Sequence, residues 1–199
     1  MSECHILLTM ITREEALELI EKHHDTQTDI NHYLESEAIM GALALKLGED
    51  VEYWKMLGLL HDVDWGMTKS NPKDHLTKAP EILREAGFDD KFIQTVVSHG
   101  YGFECAGLED MIRTELVQHA LAASETLTGL IHAYALMRDG RISDMKAKGL
   151  KKKFKDKKFA AAIKRDVIRE CEKIGMELND FFVLSIAAIV DIKDEVGLL

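Results

Sequence analysis

A chain of 199 residues, 46% hydrophobic and 30% charged, is long enough to bury one core and too apolar to be disordered. Its 25 Lys and Arg against 35 Asp and Glu leave a net charge of −10, which weighs against a general binder of nucleic-acid backbones. Two prolines and 7% aromatic residues argue against a many-turned β-sandwich. Thr12 and Glu15 spell a capping box before Ala16, Leu17, Leu19 and Ile20, so the first helix starts there. Asp29 is the expected cap of a second helix through Leu34, Ala38, Leu43 and Leu47, ended by Gly48. Asp50 caps a third, Val51 to about Asp62. Val63 to Asp74 reads as a loop. Thr77 is the expected cap of the next helix, with Pro80 in its first turn and Gly87 at its end. Asp89 or Asp90 caps a helix to His99, and Gly100 to Gly107 is a second loop. A long helical pattern then runs from Glu109 to Met137, followed by a turn at Asp139-Gly140 and two or three shorter helices, the last from about Asn179 to Glu195. No stretch alternates with period two, so the fold class is all-α.

The three cysteines, Cys4, Cys105 and Cys171, are odd in number and far apart, which fits a reducing compartment rather than a disulfide framework. The longest nearly apolar run, Phe181 to Val190, is ten residues and too short to span a bilayer. No basic segment marks a signal peptide, so the expected location is cytoplasmic, with no membrane partner.

Histidine is the unusual count, at nine. His61-Asp62 closes an apolar helix, His32 opens an earlier one, His75 follows the first loop and His99 ends a later helix. Helix ends converge around a cleft when helices bundle. Imidazole together with carboxylate suits Fe, Mn, Ni or Zn better than calcium.

In this order and setting the residues resemble the HD-domain superfamily of metal-dependent phosphohydrolases. His32 in His32-Tyr33-Leu34-Glu35 matches the first His of that family, His61-Asp62 in Leu59-Leu60-His61-Asp62 matches its naming pair, and His75 and His99 match the two intervening histidines of its two-metal members. The stretch Ser143 to Ala160 also looks like that of small prokaryotic HD proteins. The resemblance implies one HD-like helical bundle over residues 1–199, with a core of about 29–138 and a C-terminal helical extension of about 139–199. It implies one site of His32, His61 and Asp62 and a second of Asp62, His75 and His99. It also implies one or two divalent ions (Fe, Mn, Ni or Zn, with Mg admissible) and a small phosphorylated substrate such as a nucleotide. Asp64 is a candidate proton donor or anchor. The family's last Asp stands in Ala-Ala-Asp-Glu-Leu-Thr-Gly. Aligned from Ala122-Ala123, the chain places Ser124 there, with Glu125 about 100° further round the helix and facing elsewhere. The expected function is therefore a phosphoester hydrolase weakened at Ser124. The alternative is a degenerate HD domain that binds metal or nucleotide without turnover.

The remaining signals are read more plainly. His23-His24 is a helix C-terminal pair, His5 has no role, and His119 and His132 are core or groove residues. Lys146 to Lys158 carries eight lysines and reads first as a solvated surface, second as a phosphate-steering or RNA-contacting patch. Phe154 and Phe159 are expected to anchor it to the core. Cys105 beside Glu104 is a poor nucleophile, because a carboxylate raises a neighbouring thiol. No G-x-S-x-G, P-loop or C-x-x-C motif is present.

Overall fold

The computed structural model describes residues 11–23 and 26–199, so the readings made on Cys4, His5 and His24 lie outside the described residues. The described residues form helices joined by turns, without a strand, and the protein is all-α as its sequence periodicity requires. The elements are α1 (Arg13–Glu21), α2 (Gln27–Leu47), α3 (Val51–Leu60), α4 (Trp65–Thr68), α5 (Ala79–Glu85), α6 (Asp90–Val97), α7 (Leu116–Leu136), α8 (Ala147–Lys155), α9 (Arg165–Ile168) and α10 (Leu178–Asp191). Short 3-10 turns lie at Pro72–Asp74, Ser98–Gly100 and Arg169–Ile174.

Several starts are dictated locally. The Thr12–Glu15 capping box forms as written, Asp50 and Asp89 accept from the amides of Tyr53 and Phe92, and Gly48 ends α2 at φ 75°. Others differ from expectation. The cap of α2 is Thr26, whose hydroxyl accepts from the Asp29 amide, so Asp29 lies in the first turn instead. The segment read as a loop after His61-Asp62 contains α4 and a 3-10 turn. α7 starts at Leu116 and not at Glu109, with Glu115 and Gln118 making a reciprocal cap. Upstream of it Ile112 is 75% exposed, so its apolar period was not a buried face. The backbone there instead leaves the helix to carry Arg113 toward the carbonyls of Ser98, His99 and Tyr101.

α2 is the central element, with α3, α7 and α10 packed around it. Tyr33, Ile39, Met40 and Leu43 of α2 meet Leu57, Leu59 and Leu60 of α3 and Leu127, Leu130 and Ile131 of α7 in the core. The extension folds back rather than trailing: α10 packs on α2, the 169–174 turn packs on α7, and α8 lies against α10. Phe181, Phe182 and Ile189 of α10 are fully buried. Phe154 is buried with its ring 5.5 Å from that of Phe182, and Phe159 packs at the core edge under the Lys153 ammonium, so both aromatics of the lysine-rich stretch are anchors.

α2 and α3 touch most closely at Gly58. A Cβ there would sit 2.6 Å from the Ser36 carbonyl oxygen and 2.8 Å from the Glu37 amide nitrogen, both backbone atoms that cannot swing aside. Gly58→Ala must therefore push the two helices apart. We expect a loss of roughly 3 kcal/mol, the upper end of overpacking costs, read as a lowered midpoint in urea unfolding. An unchanged midpoint would show that the crossing is looser than this.

Candidate metal centre

Four helix ends meet at a cleft of about 440 Å³. His32 comes from the first turns of α2, His61 and Asp62 from the end of α3, His75 from the turn before α5 and His99 from the turn after α6. The structure brings all five together. His32, His61 and Asp62 have ligand-type atoms converging within 4.8 Å of one another, and so do Asp62, His75 and His99. Asp62 serves both groups, one oxygen each. Its Oδ2 lies 3.7 Å and 3.6 Å from Nε2 of His32 and His61, and its Oδ1 lies 3.2 Å and 3.1 Å from Nε2 of His75 and His99.

What makes these imidazoles ligands in waiting is the other ring nitrogen. Nδ1 of His61 donates to the Gly58 carbonyl at 2.8 Å, and Nδ1 of His99 to the Val96 carbonyl at 2.7 Å, each from its own helix turn. Nδ1 of His32 meets Thr128 Oγ1 at 2.7 Å. That hydroxyl already donates to the Glu125 carbonyl, so it accepts from His32. Nδ1 of His75 donates to Asp64 at 3.1 Å. With every Nδ1 held as a donor, each Nε2 is turned toward Asp62, the arrangement that orients a metal-binding histidine. The Nε2 atoms of His61 and His32 stand 3.0 Å apart and those of His75 and His99 3.1 Å apart. Lone pairs so close need a proton or a cation between them, and a transition-metal dication fits the donor set.

The electrostatics agree. Burial pushes His61 down to about 3, so it is neutral and ready to coordinate. Burial would also lower His75, but Asp62 and Asp64 beside it raise it to about 10. Burial would raise the Asp62 carboxyl, yet the surrounding imidazoles hold it well below the usual carboxylate range. An ion entering between Asp62, His75 and His99 therefore displaces a proton, so affinity falls as pH falls.

Asp64 is fully buried and does not reach the cleft. Its Oδ1 accepts from His75 and the Leu76 amide, and its Oδ2 from the amides of Lys78 and Ala79. It thereby orients His75 and caps α5, and the proton-donor role considered for it has no lone pair left over. It also displaces Thr77 as the cap, since the Thr77 hydroxyl turns back to the Asp74 carbonyl.

The expectation for Ser124 and Glu125 is corrected. Ser124 is fully buried and its hydroxyl has no hydrogen-bond partner, so it points into the core and away from the cleft. Glu125 lines the cleft with His32, Asp62, His75 and His99. Burial raises its carboxyl, while His99 and His32 pull it the other way. Counted back from Thr128-Gly129 instead of forward from Ala122-Ala123, the family pattern already sets Glu125 at the acidic position. Thr128, which aims His32, lies in that same stretch and was not singled out.

His119 and His132 are each paired with a glutamate. His119 contacts Glu170 at 2.6 Å, and Glu170 also accepts from Nε and Nη2 of Arg113. Because Arg113 Nη1 binds the carbonyls of Ser98, His99 and Tyr101, the extension buttresses the His99 turn through Glu170. His132 contacts Glu35, which is 1% exposed, at 2.7 Å. That hydrogen bond raises His132 against the effect of burial. A raised cationic group stabilises fully below its unfolded value and less as pH climbs through its folded one. We expect wild type to lose stability relative to His132→Gln as pH rises from about 6.5 upward, measured by thermal melts. Parallel profiles for the two proteins would remove the ion pair from the account.

A helical bundle with two His/Asp clusters sharing one aspartate defines a metal-binding class of protein. The chain belongs to the HD domain family, whose model matches residues 29–133, just over half of the sequence. Among curated proteins it is similar to Ribonuclease Y of Thermosipho melanesiensis, 32% identical over 102 residues, which is 51% of this chain and 18% of that protein. It is also similar to Ribonuclease Y of Desulfotalea psychrophila, 26% identical over 169 residues, 84% of this chain and 32% of that protein. The chain thus spans about a third or less of the length of these relatives. No solved structure matches it. Cys105 and Cys171 are free and buried, and no helix among the described residues is long and apolar enough to cross a membrane.

Proposed function

We propose that the cleft hydrolyses a phosphoester bond in a nucleotide or other small phosphorylated substrate, using two divalent ions. The observation that carries this reading is the shared carboxylate: Asp62 presents one oxygen to each of two His clusters, an arrangement that would suit two ions acting on one phosphoryl group. His32 and His61 would hold one position and His75 and His99 the other, and Glu125, which lines the same cleft, would be the acidic residue available to the first. The ions supply positive charge for the phosphoryl oxygens and lower the pKa of water toward neutrality. The chain's own part is to fix the geometry. Gly58, Val96, Thr128 and Asp64 aim the four imidazoles, and Asp62 holds both positions in register.

The name of the relatives, Ribonuclease Y, brings RNA phosphodiesters into the class to be tested, although a net charge of −10 weighs against a long RNA track. The test is metal analysis of protein purified without a histidine tag. It is followed by a turnover screen with Mn, Fe, Ni, Zn and Mg against nucleoside monophosphates, aryl phosphodiesters and a short oligoribonucleotide. Turnover that vanishes in His61→Ala supports the reading. Two bound ions with no turnover would replace it with the binding-only alternative, and no ion under any loading would end it.

A further inference from the structure

The segment 156–165 lies beyond the residues matched by the HD family, yet its Ala162, Ile163 and Lys164 line the cleft. Arg165 shapes it. Nη1 donates to the carbonyls of Ala160 at 2.6 Å and Ile163 at 2.7 Å, and Nη2 donates to those of Phe159 and Asp156. One planar guanidinium thus gathers the carbonyls of a whole turn, and holds Ala160 at φ 44°, a left-handed conformation alanine seldom adopts. The turn sets Ile163 on Gly129, where a Cβ would lie 3.2 Å from Ile163 Cδ1. Gly129 follows Glu125 by one helical turn on the same face of α7, and Ile163 and the next residue, Lys164, line the same cleft as the His/Asp clusters.

Charge singles out Lys164. Around the cleft Asp62, Glu104 and Glu125 are acids, and Lys164 is the one permanent cation among the described lining residues. It is exposed, and while its carbonyl accepts from the amides of Val167 and Ile168, its ammonium has no hydrogen-bond or ion-pair partner among the described residues. Phe103, Trp65, Pro72 and Ile163 add apolar lining to the cleft. We propose that Lys164 is the anion-binding residue for the substrate phosphoryl group, with Ile163 as the apolar wall beside it and Arg165 as the positioning residue for both. The substrate class is then a phosphate monoester or diester on a body with an apolar face. This rests on reading the cleft as a phosphoester site.

The test uses the full chain loaded with Mn and two readouts: binding of inorganic phosphate by calorimetry, and kcat and KM on the best substrate of the screen. Lys164→Met should weaken phosphate binding about tenfold and flatten its salt dependence. KM should rise by a similar factor while kcat falls less. Lys164→Arg should recover most of the loss. Arg165→Lys, which keeps the charge and loses the fork, should reproduce the KM rise with bound metal undiminished. Phosphate binding that is absent in wild type, or equal in wild type and Lys164→Met, overturns the proposal even if turnover persists, and leaves the hydrolase reading standing. A tenfold loss of phosphate binding in a protein that turns over nothing keeps the wall and removes the hydrolase reading.

Discussion

Asp62→Asn is expected to empty both metal positions at once. The two oxygens of Asp62 face different pairs of imidazoles, at 3.1–3.2 Å on one side and 3.6–3.7 Å on the other. Among the described residues no other side chain serves both of the converging ligand clusters. The amide removes the shared negative charge and aims N–H groups at imidazole nitrogens already held to accept a cation. Losing a partner that merely orients a ligand costs 10–100-fold in affinity, so losing the bridge should cost more than about 100-fold at each position. His99→Ala, by contrast, should empty one position and leave His32, His61 and Asp62 intact. Metal content measured on both variants separates the cases. One full equivalent of ion retained in Asp62→Asn would mean that the aspartate is a terminal ligand and not a bridge.

The second large effect is on folding. Ser124 is fully buried with an unpartnered hydroxyl, and Ala120, Ala123 and Leu127 of the same helix are buried to the same degree. A carboxylate at that position has neither water nor a cation to meet. Ser124→Asp should destabilise the protein by roughly 3–5 kcal/mol, the cost of an uncompensated buried charge, and lower the melting temperature by about 10 °C or more. It should bind no additional metal. Ser124→Ala should stay within about 1 kcal/mol of wild type, since it removes an unsatisfied group. Glu125→Gln should keep the fold and weaken the His32–His61 position. A stable Ser124→Asp protein with raised metal occupancy would return the acidic position to residue 124.

How far the sequence reached depends on where each determinant lies. Thr12, Asp50 and Asp89 cap amides three residues away or fewer, so their helices could be placed from the text of the chain. The α5 cap could not, because Asp64 reaches the Lys78 and Ala79 amides across separations of 14 and 15 residues. The start of α7 was hidden for a similar reason. Met111 and Ile112 continue an apolar period, but the Arg113 guanidinium needs irregular backbone there to reach three carbonyls of another segment. In the site, His32, His61-Asp62, His75 and His99 stood out because histidines at helix ends are conspicuous. Glu125 was obscured by a one-residue choice of where to begin counting. Lys164 was invisible inside a region whose character was set by the lysines before it.

Asp64 ties two events that are otherwise separate. The same carboxylate that aims His75 also closes the first turn of α5, so the loop from Trp65 to Ala79 is fastened at one buried point. An ion that holds His75 adds to that fastening by mass action, and stripping the ion slackens it. Breathing of this loop and escape of a metal held at the Asp62–His75–His99 position would then be one motion. The off-rate of that ion should follow the local opening of residues 75–79, faster than any unfolding of the bundle as a whole, and the amides of Lys78 and Ala79 should exchange with solvent deuterium on the same clock.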